Sequence, residues 1–268
     1  MFPFEYHRAE SIDQASEMLH ARPDAKVLAG GMSLVPMLKL RLAQTSDIID
    51  LGYLNDLRGI EVTPDRVEIR AMTSHATVAA SPEVRKALPA LADLAGGIGD
   101  PHCRNRGTIG GSLAHSDPAA CYPAAVLALG ATINTNRRSI GAGDFFKSSF
   151  ETSLDHSELI TSVSFPIAEK AAYIKFQQPA SRFALVGIFV AKLKDRVGVA
   201  VTGCGQKVFR MPEFEAALAK RFEERALDSL EVGEAGLNTD IFADPEYRAH
   251  LIKVLSRRAV ATCSKSAA

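Results

Sequence analysis

The sequence predicts an α+β chain with three parts: a small β-α-β lobe, a second lobe on a mainly antiparallel sheet, and a smaller α/β C-terminal domain. Three observations carry this reading. Short apolar runs alternate with helical patterns from Ser11 to Leu51. Paired strand signals around turns dominate from Ile60 to Val201. One last amphipathic helix closes the chain. The divisions fall at 1–56, 57–170 and 171–268, and 268 residues are enough for two or three domains.

Each element has a local cause. Ser11-Ile12-Asp13-Gln14 has the form of a capping box and starts a helix running to about Ala21. Lys26 to Ala29 reads as a short buried strand. Ser33 is placed to cap a helix over Leu34 to Leu42, where Pro36 is tolerated in the first turn. Ile48 to Leu51 is the next strand. Ile60-Glu61-Val62 and Val67-Glu68-Ile69 alternate about Pro64-Asp65 and read as a hairpin. Ser81-Pro82 opens a helix that breaks near Pro89 and resumes to Ala95. Gly96 to Pro101 reads as irregular. A helix over Pro118 to Leu129 stops at Gly130, and strands follow at 131–135, 159–165 and 171–177. Ala184 to Leu193 and Val197 to Val201 form a hairpin around Asp195-Arg196. Pro212 to Arg221 is helical. Asp244-Pro245-Glu246 starts the last helix, with Leu251, Val254, Leu255 and Ala259 on one face. Residues 264–268 read as a disordered tail.

Composition narrows the class. Hydrophobic residues make up 47% of the chain, as in globular proteins with a real core. Lys plus Arg and Asp plus Glu are both 31, which argues against nucleic acid as the main partner. No apolar run approaches a membrane span, and the N-terminus lacks the pattern of a signal peptide. Cys103, Cys121, Cys204 and Cys263 are scattered without C-x-x-C spacing. They read as free thiols in a reducing, cytoplasmic compartment.

Two glycine pairs carry the chemistry. Gly30-Gly31 follows Val27-Leu28-Ala29 and precedes Met32-Ser33-Leu34; Gly110-Gly111 follows Thr108-Ile109 and precedes Ser112. A glycine turn beside a helix start exposes backbone N–H groups and suits an anion. Two such turns suit the two phosphates of one dinucleotide; an ordinary structural turn is the other reading of each. No G-x-G-x-x-G, P-loop, G-x-S-x-G or H-E-x-x-H occurs, so any dinucleotide site is not of Rossmann type.

The segment Ala29-Gly30-Gly31-Met32-Ser33-Leu34-Val35-Pro36-Met37-Leu38-Lys39-Leu40-Arg41 resembles the first flavin loop of the medium, FAD-binding subunits of molybdenum hydroxylases. The segment from Gly99 to Ala120, with its core Arg104-Asn105-Arg106-Gly107-Thr108-Ile109-Gly110-Gly111-Ser112, resembles their second loop. Asp244 to Leu251 resembles the start of a helix in their C-terminal domain. The resemblance spans nearly the whole chain. It implies a two-lobed FAD-binding unit, with noncovalent FAD whose diphosphate is wrapped by the amides of Ala29 to Leu34 and Thr108 to Ser112. It implies further contacts from Asp117, Ile160 and Lys175. Read without the family, Asp117 caps a helix, Ile160 is core and Lys175 is a solvated strand residue. Arg104 and Arg106 either pair with carboxylates or dock a partner. Met32 and Cys121 stand where the family often has polar and acidic residues.

By the same resemblance, molybdopterin sits in a large partner subunit and two [2Fe–2S] clusters in a small one. This chain then passes electrons to an acceptor such as NAD or a quinone, and carries no catalytic acid, base or metal ligand of its own. Two rival readings are a stand-alone oxidase of the related covalent-flavin group and a cofactor-free scaffold subunit.

Overall fold

The structure, a computed structural model, describes residues 1–265. The first lobe contains β1 (Glu5–Arg8), α1 (Ile12–Ala21), β2 (Lys26–Leu28), α2 (Leu34–Lys39) and β3 (Asp47–Asp50). Its three strands are parallel, in the order β1-β3-β2. Parallel pairing forces each connection to cross over, so the turn after β2 opens at the carboxyl edge of the sheet. The α1 capping signal is realised: Ser11 Oγ accepts from Gln14 N at 3.1 Å. The reciprocal bond reaches one residue further back, from Glu10 N to Gln14 Oε1 at 2.6 Å.

The second lobe starts with β4 (Ile60–Val62) and β5 (Arg66–Arg70). Five helices follow: α3 (His75–Ala80), α4 (Pro82–Ala87), α5 (Pro89–Gly96), α6 (Pro101–Arg106) and α7 (Ile109–His115). Then come α8 (Tyr122–Leu129), β6 (Thr132–Thr135), β7 (Ser139–Gly141), α9 (Ala142–Phe145), β8 (Phe146–Ser148), β9 (Glu151–Thr152) and β10 (Ile160–Pro166). The main sheet has the order β4-β5-β10-β6-β7, and every pairing is antiparallel. Two sequence expectations change here. The irregular stretch is the loop between α5 and α6, and the helix after it, α6, was not expected: it is capped by Asp100, whose Oδ1 accepts from Cys103 N at 2.7 Å. The helix expected from Pro118 begins at Tyr122, because residues 117–120 form a tight turn first.

The last region comprises β11 (Lys170–Gln177), β12 (Ala184–Lys192), β13 (Val197–Thr202), β14 (Phe209–Arg210), α10 (Pro212–Lys220) and α11 (Pro245–Lys265). The four strands form one antiparallel sheet in sequence order. β12 and β13 are buried along nearly their whole length, which requires cover on both faces. Phe189, Ala191 and Ala200 join the core of the second lobe; Ile188, Val190 and Val199 join a separate core with Phe214, Leu251, Ile252 and Leu255. Leu251, Leu255 and Ala259 are buried as the helical pattern requires, while Val254 is only half-buried. Ser264 and Lys265 belong to α11; the rest of the expected tail lies outside the described residues. Among the described residues no helix is long and apolar enough to cross a membrane.

Candidate functional site

The first glycine turn joins β2 to α2. Gly31 has φ +75, a conformation that costs an L-residue with a side chain roughly 1–2 kcal/mol. A Cβ on Gly30 would lie 2.1 Å from the carbonyl oxygen of Arg106. Glycine is therefore required at both positions for different reasons, one conformational and one steric. The turn leaves its donors free. The amides of Gly30, Gly31, Met32, Ser33 and Leu34 donate to no other atom among the described residues; the first committed amide is that of Val35, bonded to Gly31 O at 3.0 Å. Ser33 does not cap α2 through its side chain, contrary to expectation. Its backbone is helical (φ −106, ψ −49), and a capping hydroxyl needs the extended conformation.

The second glycine pair lies inside the first turn of α7, not ahead of it. Thr108 is the cap, its Oγ1 accepting from Gly111 N at 3.2 Å. Ile109 N donates to Thr73 O (3.2 Å), Gly110 N to Ala71 O (2.9 Å) and Ser112 N to Thr108 O (3.0 Å). These amides are consumed within the protein. Outward-facing amides are expected at both turns; at the second, those of Ile109 to Ser112 are already bonded within the protein, whereas the first turn presents an unbroken row of free ones. The physical reason is docking. A Cβ on Gly110 would meet Ala71 Cβ at 2.6 Å, so the pair serves the close approach of α7 to the residues after β5. At the second turn Ser112 retains a half-buried hydroxyl with no hydrogen bond among the described residues.

The two turns meet. Gly30 abuts the Arg106-Gly107 backbone, and a Cβ on Gly111 would sit 3.5 Å from Ala29 Cβ. Sequence reasoning found both turns but missed Ala71, Thr73 and His75, which seat the second one. His75 N donates to Gly107 O at 3.0 Å, and the imidazole is buried. Nothing in the spacing of these residues marks a contact made across the fold.

The remaining predicted residues make other contacts. Ile160 is buried at the start of β10, one residue before Thr161, whose carbonyl accepts from Ala71 N at 2.9 Å. Asp117 Oδ1 accepts from Ala119 N at 2.8 Å, so it caps a turn that precedes α8 and not the helix itself. Lys175 is not a free solvated cation: Nζ donates to Gly97 O (2.7 Å) and Arg182 O (2.9 Å), with Cys121 Sγ at 3.7 Å. It fastens the β11–β12 hairpin to the loop before α6. No hydrogen bond joins Asp117 or Lys175 to either glycine turn among the described residues. Met32 stands 38% exposed at the crest of the first turn.

A diphosphate needs donors that are not already shared, and five consecutive uncommitted amides at a glycine turn provide them. The residues present therefore fit the diphosphate of a flavin dinucleotide.

The fold has close counterparts among solved structures. That of carbon monoxide dehydrogenase from Hydrogenophaga pseudoflava lacking the Mo-pyranopterin moiety of its cofactor superposes with a TM-score of 0.88 at 33% identity, covering 99% of both chains. The nicotine 6-hydroxylase medium subunit of Paenarthrobacter nicotinovorans is 38% identical over 221 residues, 78% of each chain. The glyceraldehyde dehydrogenase medium chain of Sulfolobus acidocaldarius is 36% identical over 228 residues, 80% of this chain and 81% of its own. Fold and site thus define a flavoprotein subunit of an oxidoreductase. The family described as "FAD binding domain in molybdopterin dehydrogenase" matches residues 2–168, and the chain belongs to it.

Proposed function

We propose that this chain is the electron-transfer subunit of a molybdenum-dependent hydroxylase or dehydrogenase. It receives electrons from [2Fe–2S] clusters in a small subunit and delivers them to an external acceptor such as NAD or a quinone, while substrate is oxidised at molybdopterin in a large subunit. Noncovalently bound FAD supplies the exchange between one-electron and two-electron carriers. The protein's part is to hold and orient. The amides from Gly30 to Leu34 bind the diphosphate, with Ala29 and Met32 shaping the turn. The segment from Thr108 to Ser112 forms its floor, through the Ser112 hydroxyl and the packed Gly110-Gly111. Asp117, Ile160 and Lys175 line the remainder of the same cofactor. The names of the relatives, a medium subunit and a medium chain, support a place in a multi-subunit enzyme.

The observation that carries the proposal is the row of free amides at the Gly30–Leu34 turn, pressed against the second turn. Absorption spectra of the purified chain, taken before and after acid precipitation, test it. Flavin is expected in the supernatant. Colour held in the pellet would favour a covalent flavin oxidase; a colourless protein after refolding with FAD would favour the scaffold. The Gly31→Val, Gly111→Val double variant is expected to lose flavin and keep its far-ultraviolet circular dichroism. Full flavin retention by that variant would overturn the cradle. Molybdenum and iron in the co-purified complex test the wider assignment.

A further inference from the structure

The cradle offers amides but no charge of its own, since none of Gly30 to Leu34 is basic. A flavin dinucleotide diphosphate is a dianion. The surrounding cations are mostly committed. Arg104 Nη1 donates to Ile98 O and Gly99 O, both at 3.0 Å. Arg182 Nη1 donates to Gly99 O at 3.3 Å, and Lys175 holds two carbonyls. Arg41 lies over the Phe2 ring. Lys39 is exposed at the far end of α2, roughly 8 Å along the axis from the turn. Arg106 differs from all of them. Its backbone touches the first turn at Gly30, its side chain is exposed, and it makes no hydrogen bond or ion pair among the described residues.

We infer that Arg106 supplies the counter-charge for the cofactor's diphosphate, binding it through guanidinium N–H donors beside the Gly30–Leu34 amides. The inference rests on the FAD reading above. It separates the two arginines that the sequence leaves equivalent: Arg104 is a strut of the loop before α6, and Arg106 is a ligand-binding residue. The chemistry suits the role, because a planar guanidinium pairs with phosphate oxygens through two parallel bonds. An exposed charge pair is also screened by salt, so this contact has an ionic-strength signature that amide contacts lack.

The test is titration of FAD into the cofactor-stripped full chain at low and high sodium chloride, for wild type, Arg106→Gln and Arg106→Lys. Arg106→Gln should bind FAD roughly tenfold more weakly at low salt. Its affinity should fall less with added salt than that of wild type. Arg106→Lys should recover most of the salt dependence and only part of the affinity. Circular dichroism and melting temperature should not change, because the side chain is exposed and makes no hydrogen bond or ion pair among the described residues. Equal affinity in wild type and Arg106→Gln would overturn the inference. So would a weaker Arg106→Gln whose salt dependence matches wild type, since the loss would not then be one of charge. Absence of FAD binding in every protein, wild type included, would instead bring down the cofactor reading and this inference with it.

Discussion

His75 anchors the second glycine turn at the cost of burying an imidazole. The ring faces Tyr122 with centroids 5.4 Å apart, Nδ1 has no hydrogen-bond partner, and a Cβ on Gly107 would meet Nε2 at 2.6 Å. Burial, and secondarily the Arg104 cation, lower its pKa to about 4 from the ordinary 6.5. The sign follows directly. Between pH 6.5 and 4 the unfolded chain binds a proton at His75 that the native chain refuses, so acidification favours unfolding. The stability present above pH 6.5 is lost progressively as pH falls to about 4, at up to roughly 1.4 kcal/mol per pH unit. Urea denaturation of wild type and His75→Gln at pH 6.5 and 5.5 checks this: wild type should lose about 1 kcal/mol more, since half of the unfolded histidines are already protonated at pH 6.5. Parallel pH slopes would show that the imidazole titrates freely in the folded protein.

Among the elements, α7 depends on its cap. Thr108 has extended backbone (φ −120, ψ 153), and its hydroxyl satisfies the Gly111 amide inside a buried turn. Thr108→Ala should cost about 1 kcal/mol, read as a shift in the denaturation midpoint with an unchanged slope. On the proposal that α7 forms the floor of the flavin site, flavin affinity should fall in parallel. Caps of this kind mark what the sequence discloses. Ser11 and Ser81 were legible because a hydroxyl residue stands at the right distance before an apolar helix, and both accept the amide three residues on. The hairpin of β4 and β5 was legible from its alternation. Thr108 was not recognised as a cap, because the glycines behind it read as a loop and glycine is a poor helix former. The helix tolerates them because α7 is held by packing against Ala71 more than by propensity. In the candidate site, then, glycine composition pointed to both turns. Which turn keeps its amides free was decided by partners some forty residues away in sequence, Ala71 and Thr73, and no local pattern encodes that.

At the scale of the whole molecule, the stretch matched by the family ends at residue 168, yet the folding unit does not end there. The sheet of the last region is the floor of the second lobe's core, since Phe189, Ala191, Leu193 and Ala200 pack into it. That region also completes the polar bonding of its neighbour. Arg196 caps the C-terminus of α8, with Nη2 donating to Leu129 O at 2.5 Å and Nη1 to Ala128 O at 3.2 Å. The buried Thr202 hydroxyl lies 2.8 Å from Pro118 O and 2.7 Å from Ala120 O, and it bridges both. Removing residues 170–268 would uncover α8, of which seven of eight residues are buried, and would leave these carbonyls unpaired. Each large side chain lost from a core is worth about 2–5 kcal/mol, and several go together, against a total stability of about 5–15 kcal/mol for a typical domain. A fragment of residues 1–169 should therefore lack a cooperative calorimetric transition and bind a hydrophobic dye, whereas in the full chain residues 57–265 should melt as one unit. A sharp transition in the fragment, with native-like amide exchange protection in α8, would show that the second lobe holds its core without the sheet beneath it.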